Sequence, residues 1–129
     1  MSIRIVRLGT RRAPNEGLRI GTVRRPPRGV RKEEYASRDF YDVWLPDLAP
    51  SDALVKAAQK SLDDPRAWKA FTRRYRAEMA KPEAKRLLDL LAALSQRTDF
   101  AVGCYCPDEA HCHRSLLREL LREHGAKLG

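Results

Sequence analysis

All three cysteines and two of the three histidines of this chain fall within ten residues, as Cys104, Cys106, His111, Cys112 and His113, with Arg114 immediately after. Thiols, imidazoles and a guanidinium at that density can support nucleophilic, redox or metal chemistry. Cys112 sits where a helix should begin. There a thiol meets the positive end of the helix dipole, two imidazoles and a guanidinium, all of which favour the thiolate. In a catalytic reading Cys112 is the nucleophile or redox thiol, His113 or His111 carries the proton, and Arg114 anchors an anion. The plainer reading is a half-buried thiol beside capping residues, since structural networks perturb the same groups.

Two other chemistries fit less well. A zinc site drawn from Cys104, Cys106, His111, Cys112 and His113 has suitable ligands, but the usual paired cysteine spacing of about two to four residues is absent. A phosphatase-like loop needs a glycine-bearing turn and a closer arginine, whereas Arg114 follows Cys106 by eight positions with no glycine between them. A disulfide between Cys106 and Cys112 would make a redox switch. No metal and no cofactor is expected.

The elements around this cluster read as strand, loop and helix. Phe100 to Cys106 is a nearly continuous apolar run, as in a strand covered on both faces of a parallel sheet, with Cys104 and Cys106 on one side by its period of two. Residues 107–111 leave the sheet. From Cys112 the spacing of Leu116, Leu117, Leu120 and Leu121 predicts a helix, with Gly125 to end it and His124 favouring the dipole in its last turn. Ligands of open α/β sheets sit at such strand ends, facing helix N-termini.

Upstream, residues 3–8 and 18–23 read as strands and could form a basic hairpin, although they need not be partners. Pro26 and Pro27 make 24–29 a stiff loop bearing Arg24, Arg25 and Arg28. Residues 31–50 are irregular, with one strand near 40–45. Helices are predicted from Ser51 as N-cap to Leu62, from Pro65 to Ala80 and from Pro82 to Ser95. Trp68, Phe71, Tyr75 and Met79 form a core-facing stripe on the second, and Leu87, Leu88, Leu91 and Leu94 on the third.

Charge is concentrated at one end. Residues 1–32 carry ten basic side chains, nine of them arginine, against the single acid Glu16, which is the whole of the net +9. Arginine's planar fork suits phosphate and carboxylate. An anion-binding surface, or a solvated basic face paired with acids elsewhere, would both explain it. A length of 129 residues suits one domain. There is no apolar run of about 18 residues and no export signal, so a cytoplasmic protein with reduced thiols and no membrane partner is expected.

The chain resembles the bacterial YeaO-like proteins, domain-of-unknown-function family 488, over nearly its whole length. The resemblance rests on Arg19, Arg24, Pro27, Arg28, Gly29 and Lys32, on Ala49-Pro50-Ser51, on Trp68, Phe71, Tyr75, Arg76 and Glu78, and on Cys112-His113-Arg114. Where those proteins usually have Asp-Arg-Leu-Trp-Pro-Arg-Gly, this chain has Val23-Arg24-Arg25-Pro26-Pro27-Arg28-Gly29, without the acid and the tryptophan. The resemblance implies a cytoplasmic α/β fold in which the two motif regions meet, and it supplies no activity.

These readings predict a single compact α/β domain over 1–129, with a mainly parallel central sheet flanked by helices. They place a site for a phosphate- or carboxylate-bearing ligand between Arg24 and Arg28 on one side and Cys112, His113 and Arg114 on the other, in a protein that would be a thiol-dependent enzyme if catalysis occurs. The alternative is a non-catalytic nucleic-acid-binding module using the arginine-rich segment for phosphates.

Overall fold

Strand-forming residues recur at four places, and in the computed structural model they make one four-stranded sheet. The structure describes residues 1–59, 64–106 and 112–129. Strand β1 spans Ile3–Arg7, β2 Leu18–Gly21, β3 Val43–Trp44 and β4 Phe100–Cys104. Their order is β1-β4-β2-β3, and every pairing is parallel. The hairpin considered for residues 3–23 is therefore not formed. β4 inserts between β1 and β2, with Phe100 opposite both Ile3 and Leu18. The irregular stretch after the arginine loop contributes a strand of only two residues, on the sheet's edge.

The helices are α1 (Asp52–Gln59), α2 (Pro65–Met79), α3 (Pro82–Ser95) and α4 (His113–Glu123). Each begins as its sequence implies. Ser51 Oγ accepts from Leu54 N–H at 3.3 Å, and the Asp64 carboxylate accepts from Arg66 N–H at 2.9 Å ahead of Pro65. Glu78 of α2 takes both the Ser51 N–H, at 2.9 Å, and the Ser51 hydroxyl, at 2.6 Å, tying the end of one helix to the start of another. The expected extension of α1 to Leu62 lies outside the described residues.

The sheet's two faces are covered differently. Ile3, Ile20, Phe100 and Val102 pack against apolar side chains from all four helices, including Leu54, Phe71, Tyr75, Leu88, Leu117 and Leu121. Tyr75, on the α2 stripe, is fully buried and donates its hydroxyl to the Leu48 carbonyl at 2.7 Å. On α3, Leu88 and Leu91 are buried but Leu94 turns outward, its place in the interior taken by Ala84 and Ala92. The second cluster, around the end of β4, joins Leu8, Val23, Tyr41, Cys104 and Cys112, with Tyr35 and Phe40 of the irregular segment packed against it. Glycine at 103 permits the close approach of β1, because a Cβ there would lie 2.4 Å from the Val6 carbonyl oxygen.

All five residues of β4 are buried, as a central strand demands. Its register with two neighbours fixes where it ends, at Cys104, and hence where the chain leaves the sheet.

Candidate functional site at the end of the central strand

The C-terminal ends of β4 and β2, the loop after β2 and the start of α4 enclose one cavity of about 690 Å³. Its lining includes Arg24, Arg28, Cys104, Tyr105, Cys106 and His113. The arginine loop and the Cys-His-Arg segment, distant in sequence, thus share a wall. Tyr105 fastens the loop there: its hydroxyl donates to the Arg25 carbonyl at 2.9 Å. Arg24 is held by the backbone, donating from Nε to the Pro50 carbonyl at 3.1 Å and from Nη2 to that of Ala49 at 3.2 Å. Arg28 is exposed and makes no hydrogen bond or ion pair among the described residues.

The sulfurs of Cys104, Cys106 and Cys112 all lie within 4.8 Å of one another. Cys104 and Cys112 are buried, with Sγ atoms 2.7 Å apart, and Cys106 is exposed. Cys112 is the N-cap of α4, but its side chain makes no capping hydrogen bond. Hydrogen bonds from Cys104 and Cys112 hold the Cys106 thiol down to about 2, helped by the charges of His113 and Arg114 against the opposing effect of burial. The same coupling works the other way on its partners. The Cys106 sulfur raises the Cys104 thiol, and Cys112 rises to about 11 because the contact with Cys106, burial and the Cys106 charge outweigh its bond with Cys104. These shifts run in the direction that favours negative charge on Cys106 over its two neighbours.

His113 is buried, and its Nε2–H donates to the Thr22 carbonyl at 2.8 Å, which leaves Nδ1 as the lone-pair nitrogen, 3.7 Å from Cys112 Sγ. Burial lowers its pKa to about 4, although the Thr22 carbonyl pulls it upward. A base depressed in this way binds a proton more readily unfolded, so the fold keeps its full stability above pH 6.5 and loses it as pH falls towards 4. Denaturant titrations of the reduced protein should show a loss of about 3 kcal/mol across that interval from His113 alone. A His113→Gln variant lacking the acid-side slope would identify the group, and an unchanged slope would assign it elsewhere.

Arg114 is buried as well, donating from Nη2 to the Cys106 carbonyl at 2.6 Å. Its Nε has no hydrogen-bond partner among the described residues. Of the six residues expected to form the site, Arg24, Arg28 and His113 line the cavity, while Cys112 and Arg114 stand behind it and His111 lies outside the described residues. Cys106 and Tyr105 were not among them. The cue for Cys106 was its place just before Pro107, since a proline cannot extend the strand and leaves the preceding residue at the sheet's ligand-facing end.

The fold is a wholly parallel α/β sheet with a thiol cluster at the exit of its central strand. Residues 3–125 match the family model DUF488-N3a, described as the active DUF488-N3 subclade, and the chain belongs to that family. No curated protein and no solved structure matches it. Among the described residues, no helix is long and apolar enough to cross a membrane.

Proposed function

We propose that this chain is a thiol-dependent enzyme acting on a small phosphate- or carboxylate-bearing ligand in the reducing cytoplasm, with Cys106 as its nucleophile. The observation that carries this reading is the shared cavity, whose lining joins the exposed Cys106 to Arg24 and to Arg28, which has no partner among the described residues. Guanidinium groups would hold the anionic part of the ligand while the thiolate meets its electrophilic part. Arg114 serves by orienting the Cys106 carbonyl and by offsetting thiolate charge. Cys112, the nucleophile expected from sequence, acts on this reading as a hydrogen-bond donor to the Cys106 sulfur. His113, neutral at physiological pH, can accept a proton at Nδ1 but is poorly placed to supply one.

The test uses Cys106 alkylation as a readout of ligand binding. Inorganic phosphate should slow iodoacetamide labelling of Cys106, and Arg28→Ala should weaken that protection by about tenfold, the usual worth of one charge-assisted contact. Absence of protection by phosphate, pyrophosphate and simple carboxylates alike would sink the proposal. The nucleic-acid module is less favoured because Arg12 and Arg19 are already committed to Asp42, Asp39 and Glu16. It would be restored by nucleic-acid binding that falls steeply with salt and ignores Cys106→Ser.

A further inference from the structure

Sequence spacing speaks against a metal site, because the cysteines do not come in the customary pairs. Folding supplies the convergence that spacing lacks. β4 delivers Cys104, the turn beyond it delivers Cys106, and the first turn of α4 brings Cys112 and His113 back against them. We propose that Cys104, Cys106 and Cys112 bind a thiophilic divalent cation, zinc by the chemistry of the donors, with His113 as the fourth ligand once its ring moves in. Each cysteine contributes one sulfur, and Nδ1 of His113, 3.7 Å from the Cys112 sulfur but outside the three-sulfur cluster, would supply the fourth atom.

Three corners of a tetrahedral site converge, and the fourth needs a shift of the His113 ring. With zinc–sulfur bonds of about 2.3 Å and a zinc–nitrogen bond of about 2.0 Å, ligand atoms stand roughly 3.5–3.8 Å apart. The three sulfurs all lie within 4.8 Å of one another, and Cys112 Sγ lies 3.7 Å from His113 Nδ1. The Cys104 and Cys112 sulfurs, now 2.7 Å apart, would separate by about 1 Å to admit the ion. A second observation points the same way. His113 donates Nε2–H to the Thr22 carbonyl, which fixes the tautomer and leaves the Nδ1 lone pair beside the Cys112 sulfur, the outer contact that metal-binding histidines usually make. Charge balance is also provided. Three thiolates around a divalent ion leave one negative charge, and the buried Arg114 guanidinium, its Nε without a partner among the described residues, sits against the Cys106 backbone.

The proposal shares Cys106 with the enzymatic reading but stands without it. If both hold, zinc withdraws the nucleophile and the metal-bound protein is a resting form. Binding to thiols releases protons and moves no electrons, so no oxidant or reductant is involved.

The experiment uses the intact protein, reduced and stripped with a chelator, titrated first with Co2+ as a spectroscopic probe and then with Zn2+. One equivalent of cobalt should give the intense visible bands of a tetrahedral thiolate site, and one equivalent of zinc should bleach them. Cys106→Ser, at an exposed position that leaves the core intact, should weaken zinc by more than the ~10- to 100-fold typical of outer-shell changes. Zinc should also stop alkylation of Cys106. Faint octahedral cobalt bands, or zinc lost on desalting, would overturn the site, as would a mass two units low from a Cys104–Cys112 disulfide that persists under reductant. Rapid alkylation of the stripped protein with no zinc retained would defeat the metal site alone. Tight zinc with an inert Cys106 in the stripped protein would defeat the enzyme alone.

Discussion

Replacing Arg19 by methionine should destabilise the fold by about 3–5 kcal/mol, the cost of removing one partner from a buried ion pair. The Arg19 and Glu16 side chains are 1% and 3% exposed and meet through two contacts of 2.9 Å, Nε to Oε2 and Nη2 to Oε1. Nη1 donates to the carbonyls of Thr10 and Asp39 at 2.8 and 2.7 Å. One guanidinium thereby joins the loop before β2 to the segment leading into β3. Burial acts to raise the Glu16 carboxyl, and the Arg19 fork overrides it and holds that group below its ordinary value. In the parent, that contribution is present at neutral pH and is lost as acid protonates Glu16. In Arg19→Met burial is opposed only by the Ala13 N–H and the Arg12 charge, the carboxyl rises, and the variant should recover stability on mild acidification. Urea titrations at pH 7 and pH 5 give the two signs directly. A loss under about 1 kcal/mol at pH 7, or no recovery at pH 5, would mean that water reaches Glu16.

The second large effect concerns the rate at which Cys106 is alkylated as a function of pH. An ordinary thiol, with a pKa near 8.5, loses roughly 10³-fold in thiolate between pH 8 and pH 5. A Cys106 held far below the ordinary thiol range by its two neighbouring thiols should stay ionised throughout, so its labelling rate should stay flat over that range. Low basicity also makes the thiolate less nucleophilic, so flatness of the profile is the signature and a high absolute rate is not. Mass spectrometry of peptides can follow Cys106 separately from the buried Cys104 and Cys112. A profile rising tenfold per pH unit would show that the negative charge does not reside on Cys106.

Local patterns in the sequence carry their own readings as far as one element extends. The uninterrupted apolar run at 100–104 announces a strand covered on both faces, and β4 is the centre of the sheet. Four large side chains at helical spacing announce the buried stripe of α2. What local pattern omits is the partner. Nothing in residues 3–23 tells that a strand about 80 positions later separates β1 from β2, because parallel pairing is decided by crossover packing and not by a turn. The site shows the same limit. Cys112 has the sequence marks of an activated thiol at a helix start, yet depth depends on how α4 docks, and it is Cys106 that opens to the cavity. Arg19 belongs to the motif shared with the family, where an arginine reads as a ligand contact, and in this fold it is a buried fastener.

The bond from the Tyr105 hydroxyl to the Arg25 backbone has a bearing on how quickly and how cleanly the cavity can fill. A strand exit is among the stiffest places in a sheet, and two successive prolines already limit the loop it holds. Empty and occupied forms should therefore superpose closely, with no closing step between encounter and contact. On the proposed reading an entering anion would meet Arg24 already held by the Pro50 and Ala49 carbonyls, while the exposed Arg28 would still have to be ordered. The same stiffness narrows what is accepted. On the proposed reading, a ligand whose charge and reactive atom are spaced differently from Arg28 and the Cys106 sulfur would not draw the loop to itself, and discrimination would rest on length as much as on charge.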